Sequence, residues 1–574
     1  MSDVKIDKVL VSILQKRFKS IVEEMAIAMT MTTRSPILCE ARDFVTGIYD
    51  ARGRMLEQKE NLPILSFSLG PVCEYIIGYY GDDIHPGDVI FHNDVFSMGN
   101  QNNDVAVYKP IFRDETLVGW AAAKGHQADI GGAVRGGYNP QATEIWQEAL
   151  RIPPIKVYER GKLRRDVWDL IFANIRLAMV AEDLKAQIGS CTVGERAVQK
   201  LVERYGLDVF EAHKQYLFDA TERMMRAEIR EIPDGVYSGE ANGHYDGKTP
   251  GSKYTIRVRV TVAGDGIEFD FTGTDPQTPG FVNGTYTSSA SATMLTFLQM
   301  VNPDIPHNDG MVRPVRMIIP QGTILNASYP AATTYGNHLC PITASAIMRA
   351  LGPAIPDRVT AEWNPLLCSL TTGTDPRKVQ PYVDICFMGL KGGGGAIRGC
   401  DGYDHIGMID ASGGVLDQDY EMFEQQTPHL ILEHEYWTDS AGAGEWRGGL
   451  GVVTRLRLGG EGNTLVTFGE GDVEPPLGSM GGLPGALNTI RLTYPDGTEI
   501  VPTTKDLITG VPAETIYHQE AGGGGGYGDP RKRKPAKVAE DVRNGKVSAE
   551  KARSVYGVDV DSARAATSEP KKEV

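Results

Sequence analysis

Three polar segments hold most of the side chains able to do chemistry: Arg42-Asp43-Phe44, FHNDVFSMGNQNNDV (Phe91 to Val105) and KGHQADIGG (Lys124 to Gly132). Carboxylates, an imidazole and amides brought together from separate loops are the ligand types that hold a divalent cation. An imidazole among them favours zinc, manganese or iron. Asp43, Asp104 and His126 are the candidates. Spacing alone leaves a second reading open, in which the histidine and loop aspartates only satisfy hydrogen bonds or cap turns.

Nucleotide chemistry has no comparable segment. The nearest approach to a Walker A loop is NGHYDGKT (Asn242 to Thr249), but Gly243 lies one residue too close to Gly247-Lys248-Thr249, and β-type runs flank it. It reads as a plain loop. The glycine runs Gly392 to Gly395 and Gly522 to Gly526 lack a following Lys-Ser/Thr pair, so tight turns or close backbone approach are preferred to a phosphate cradle. ATP, if used, is handled by another polypeptide.

The elements that must position these loops follow from periodicity. Leu10, Leu14, Phe18, Ile21, Val22 and Met25 recur at three- and four-residue spacings and predict an amphipathic helix over Asp7 to Met29. Short β-rich runs with turn signals from Ile48 to Trp120 predict sheet with long loops. Proline-free stretches rich in Leu, Ala, Glu, Lys and Arg predict helices over Val167 to Ile188 and Gly194 to Arg230. After Ile232-Pro233-Asp234-Gly235, the alternation in YTIRVRVTV (Tyr254 to Val262) and IEFDFTG across Gly264-Asp265-Gly266 predicts a β-hairpin. Ser289 to Met300 is helix-like. Five consecutive glycines hold no regular element by themselves, so the core is expected to end near Ala521 to Pro530.

The expected fold is a mixed α/β (α+β) multidomain chain. It has an N-terminal α/β domain over 1–231 with the polar site, a β-rich domain over 232–330, and a mixed α/β glycine-rich domain over 331–528. A basic linker, small helical tail and disordered end (SEPKKEV) fill 529–574. The 41% hydrophobic and 23% charged fractions are those of a globular protein, and no apolar run reaches the roughly 18 residues of a membrane span. A net charge of −16 repels phosphate backbones and argues against nucleic acid; RKRKPAK (Arg531 to Lys537) reads as a solvated linker. MSDVKIDKVL lacks a secretory pattern, and Cys39, Cys73, Cys191, Cys340, Cys368, Cys386 and Cys400 form no CxxC pair. A cytoplasmic protein with reduced thiols is expected.

RDFVTGIYDARGRMLEQ (Arg42 to Gln58), PGDVIFHNDVF (Pro86 to Phe96), AAKGHQADIGG (Ala122 to Gly132), SAGAGEWRGGLGVV (Ser440 to Val453) and AGGGGGYGDP (Ala521 to Pro530) resemble the hydantoinase B family. These matches run in one order from about Asp7 to Asp529. The family includes B-type subunits of N-methylhydantoinases, 5-oxoprolinases, caprolactamase-like enzymes, and acetone and acetophenone carboxylases. The resemblance implies a hydantoinase A-like ATPase partner that binds ATP and magnesium, with further small subunits in some members, a small-molecule carbonyl substrate and no biotin. It also implies a divalent metal, zinc or manganese, on a His and an Asp of the loop after the NDP segment and a later His, with the Asp of the RDF segment contributing in some members. These positions here are Gln101, Asp104, His126 and Asp43. The usual histidine is thus Gln101, a poorer ligand for zinc-like ions. That replacement tilts the expectation to an acetophenone carboxylase-like ketone carboxylase, in which His126 and Asp104 bind or polarise the ketone oxygen. The alternatives are an ATP-dependent cyclic amide hydrolase and a catalytically degenerate structural subunit.

Overall fold

The N-terminal helix runs over Lys8–Thr32, and the Asp7 carboxylate caps it by accepting a hydrogen bond from the Val9 N–H at 2.9 Å. Leu14, Phe18, Ile21, Val22 and Met25 form its buried stripe. The computed structural model describes residues 4–559; the SEPKKEV end, expected to be disordered, lies outside them. Mixed α and β elements with several antiparallel sheets give the expected fold class.

The described residues divide into two units. The first comprises the chain up to Asn242, Asp246–Ala350 and Gly414–Asp417; the second comprises Gly243–Tyr245, Leu351–Gly413 and the chain from Gln418.

The first unit is built on a seven-stranded sheet. Its strands are β1 (Phe44–Asp50), β2 (Met55–Glu60), β3 (Val89–His92), β4 (Asp104–Arg113), β5 (Thr116–His126), β6 (Ile155–Glu159) and β7 (Lys162–Leu163), in the order β2-β1-β5-β4-β3-β6-β7. Side chains alternate between its faces. Thr46 marks one face, donating to the Val22 carbonyl of the first helix, and the Met179–Tyr205 helix packs on the same side. Lys124 and His126 of β5 mark the other, where Asp104 stands opposite His126 and both Ala106 and Val45 stand opposite Lys124.

The expected helices are present with different ends. Instead of one helix over Val167 to Ile188, the chain forms Arg165–Phe172 and then Met179–Tyr205. The interruption has a tertiary cause: the buried Asp129 carboxylate accepts from both the backbone N–H and the guanidinium of Arg176, at 2.8 and 3.0 Å. Gly206, at φ 83°, separates the second helix from Leu207–Arg230. The hairpin forms as expected between Lys253–Ala263 and Gly266–Asp270. In the loop resembling a Walker A motif, the Asp246 carboxylate accepts from the Lys248 and Thr249 N–H groups, which closes a turn.

The second unit holds two antiparallel sheets, one of four strands and one of five. Leu367, Met388, Phe423, Leu456, Leu465, Leu492 and Tyr517 fill its core. The glycine run at 522–526 does not mark the end of that core but lies buried within it. Its amides are already used: Gly524 N–H donates to the Gly449 carbonyl, Gly525 to Glu362 and Gly526 to Leu483. A Cβ at Gly524 would sit 2.1 Å from the Gly394 carbonyl oxygen, so close backbone approach explains the run. Beyond it, the helices Pro535–Arg543 and Ala549–Ser554 bury Val538, Val547 and Ala552 with Ala443. Arg533, expected in a solvated linker, is 4% exposed and forked between Asp401 and Asp541. No helix among the described residues is long and apolar enough to cross a membrane.

Candidate active site

Asp104 is the first residue of β4 and His126 the last of β5, and the antiparallel register sets them opposite each other. The loop before Asp104 is tied down from several sides. Asn93 Nδ2 donates to the Asn102 and Leu150 carbonyls, its Oδ1 accepts from the Ile152 N–H, and Asp94 is forked by Arg151. Gly99 passes so close to Asp94 that a Cβ would lie 2.7 Å from its carbonyl oxygen. On the far side of His126, the contact of Asp129 with Arg176 that interrupts the helix also fixes the following loop.

The two side chains join directly. His126 Nδ1 donates to Asp104 Oδ1 at 3.0 Å, while Asp104 Oδ2 accepts from Asn100 Nδ2 at 2.6 Å and Asn337 Nδ2 at 2.9 Å. Both carboxylate oxygens are therefore engaged, and the imidazole is fixed with Nε2 as its acceptor nitrogen. Its ring is stacked on Tyr138 with centroids 5.8 Å apart. Tyr138 in turn hydrogen-bonds His338 Nε2 at 3.0 Å.

The charges are buried. Burial pushes the Asp43 carboxyl up to about 7, with the His126 charge opposing and that of Asp104 adding. Burial lowers Lys124 to about 7, against the pull of Asp104. For His126 burial also works against the charged form, but the hydrogen bond to Asp104 and the charges of Asp43 and Asp104 outweigh it and leave its pKa raised. Lys124 Nζ donates to Ser68 Oγ and to Asn100 Oδ1, completing a line Lys124–Asn100–Asp104–His126. Glu148, pushed up to about 8 by burial, accepts from the Thr333 and Thr334 N–H groups and so holds the turn that carries Asn337 and His338.

Of the four positions named from sequence, Asp104 and His126 meet side chain to side chain. Asp43 lies beside them, its carbonyl accepting the His126 N–H at 3.1 Å. Gln101 Nε2 donates to Tyr138 Oη and the Thr334 carbonyl, and its Oε1 accepts from Asn337. Gln101 and both oxygens of Asp104 are engaged, His126 Nε2 stands 3.5 Å from Asn103 Nδ2, and Asp43 Oδ1 is buried without a hydrogen-bond partner. A zinc-class cation takes three or four protein ligands; with an amide at Gln101 the four expected positions offer it one imidazole only, a poor donor set.

The sequence reading missed Asn337, Tyr138 and His338, which reach the site from distant segments, and Asn100 and Lys124, which lie in its polar segments without a motif to single them out. The stretch TYGNHL (Thr334 to Leu339), with Asn and His beside a glycine, is the one local signal that could have found Asn337 and His338.

Residues 7–530 match the family described as hydantoinase B/oxoprolinase. The chain belongs to that family. It is 37% identical to the beta subunit of the caprolactamase of Pseudomonas jessenii, over 97% of both chains. It is 30% identical to the B subunit of a putative D-/L-hydantoinase of a Pseudomonas species, over 97% of this chain and 96% of that one. The crystal structure of the ATP-dependent caprolactamase from Pseudomonas jessenii superimposes with a TM-score of 0.90 at 35% identity, covering 98% of this chain and 99% of that one. A nucleotide-free acetone carboxylase structure gives a TM-score of 0.87, covering 98% and 83%, but at 21% identity it speaks for the fold alone. The expected ketone carboxylase therefore gains no specific support; the relatives of higher identity bear the names of enzymes acting on cyclic amides.

Proposed function

We propose that this chain is the B-type subunit of an ATP-dependent cyclic amide hydrolase, working with a hydantoinase A-like partner that handles ATP and magnesium. The observation that carries the reading is the buried Asp104–His126 pair. An imidazole held by a carboxylate at one nitrogen, with the other met only by the long 3.5 Å contact to Asn103 Nδ2, can serve as a general base, and hydrolysis needs one to take a proton from water. The 37% identity to a caprolactamase chain over almost the whole length supports the same class.

Nucleotide chemistry in the partner supplies activation of the amide oxygen. In this chain, Asp104 holds the Nδ1–H of His126 and stabilises the imidazolium that forms when Nε2 takes the proton of the attacking water. The water oxygen bonds to the carbonyl carbon, the C–N bond breaks as the proton passes from Nε2 to the departing ring nitrogen, and a second water releases the phosphoryl group that ATP placed on the amide oxygen as phosphate, leaving the carboxylate. Burial of the site strengthens each of these interactions. The intact pair and its supports favour a catalytic subunit over a degenerate one.

The complex is assayed with ATP on a lactam or hydantoin without bicarbonate, and on a ketone with labelled bicarbonate. Ring-opened product from the first and no fixed label from the second is expected. Label fixed into a ketone, with no ring opening, would overturn the proposal.

A further inference from the structure

A cavity of about 320 Å³ opens beside β1 and β2, under the Pro63–Ser68 turn and the start of the Leu69–Tyr80 and Tyr286–Leu298 helices. That is the lower end of the range, about 300–1,000 Å³, of pockets that take small molecules. Met55, Phe67, Pro71, Met294, Val312 and Met317 give it largely apolar walls.

Three polar side chains interrupt those walls. Tyr49, Gln58 and Ser66 are 1%, 7% and 0% exposed, and Tyr49 Oη, Gln58 Oε1 and Ser66 Oγ have no hydrogen-bonding partner in the protein. Buried polar atoms are normally satisfied, and three orphans in one cavity point to a ligand that satisfies them. Gly47 makes room for two of these side chains, since a Cβ there would stand 2.8 Å from Tyr49 Oη and 3.1 Å from Gln58 Cγ. Glu74 and Asp309 line the same cavity with carboxylates, which disfavours an anion.

We infer that this cavity binds a small neutral ring compound carrying an amide. Its apolar ring lies against the methionines and valines, and its N–H and C=O pair with Gln58, Tyr49 and Ser66. The choice of a cyclic amide rests on the function proposed above, but the site is separate from His126. Gly47 pairs with Ala122, four residues before His126 on β5, which is roughly 13 Å along the strand.

Binding of 2-pyrrolidinone and ε-caprolactam to the full chain, followed by saturation-transfer NMR, tests this. Gly70 lines the cavity, and its added Cβ would meet only the Gly53 carbonyl at 3.6 Å and the Tyr49 ring at 4.0 Å, so Gly70→Leu fills the space without a backbone clash. Saturable lactam binding is expected in the wild type and in His126→Ala. It should weaken at least about 10-fold in Gly70→Leu and several-fold in Ser66→Ala, and cyclohexanecarboxylate should not compete. Thermal melts confirm folding, and Ser66→Ala decides if Gly70→Leu does not fold. No saturable binding, binding unchanged in the folded variants, or binding lost in His126→Ala would overturn the inference. A complex that binds lactam here and fails to open it would instead sink the functional reading.

Discussion

Asp104 and His126 occupy facing positions where the β4–β5 ladder ends, and their side chains meet at 3.0 Å with the second oxygen of Asp104 clasped by Asn100 and Asn337. Asp104→Asn keeps the shape but offers His126 an amide in place of an acceptor that stabilises imidazolium. A fall of about 10²–10⁴-fold in kcat is expected, with assembly of the complex unchanged by size-exclusion chromatography.

Gln101 is held by three hydrogen bonds, to Tyr138, the Thr334 carbonyl and Asn337. Gln101→His places an imidazole beside Asp104 and His126 and raises the count of nitrogen donors to two. Zinc retained after dialysis, read by atomic emission, is expected to rise from well below one per chain toward one. Equal zinc in the two proteins would show that the amide does not set metal affinity.

Arg533 lies buried between Asp401 and Asp541, with bonds of 2.7 and 2.8 Å. Arg533→Met leaves Asp401 and Asp541 with only the Arg447 guanidinium nearby, 3.8 Å from Asp541, so a loss of about 3 kcal/mol is expected from urea unfolding. A loss under about 1 kcal/mol would return this segment to the status of a solvated linker.

These cases separate what a sequence reveals from what it hides. Local periodicity and turn chemistry were enough for the first helix and for the hairpin at Gly264-Asp265-Gly266, because both are decided by neighbours in the chain. The break between Phe172 and Met179 was not legible, since Asp129, 47 residues before Arg176, takes the Arg176 amide out of the helix. The glycine run at 522–526 suggested an end to the core; only the segments it touches, at 392–395 and 448–451, reveal it as core. At the site, family motifs singled out Asp104 and His126, but Asn337 and His338 come from more than 200 residues away in sequence and carry no spacing signal relative to them.

His429 carries the clearest dependence on pH. It is held neutral: burial, then the Arg377 charge, lowers its pKa to about 3 against the pull of Asp375. Its Nδ1 accepts from the Gly459 N–H while Nε2 bonds Thr371 Oγ1, so protonation would break a hydrogen bond. The unfolded chain takes up this proton below about 6.5 and the folded chain only near 3, so the unfolded state binds more protons in between. Stability from this residue is complete above about pH 6.5 and is lost as pH falls toward 3, with a slope of up to about 1.4 kcal/mol per pH unit. His429→Gln should therefore lose less stability than the wild type between pH 6.5 and 5, measured by urea midpoints. Parallel losses would contradict this.

The central claim is that His126 Nε2 takes a proton from the water that opens the ring. Single-turnover lactam opening by the ATP-supplied complex in H₂¹⁸O, comparing the wild type with His126→Ala, reads this directly. The account predicts ¹⁸O in the carboxylate of the wild-type product, a rate reduced by about 10²–10⁴-fold in the variant, and partial recovery with added imidazole. Ring opening in His126→Ala at the wild-type rate would contradict it.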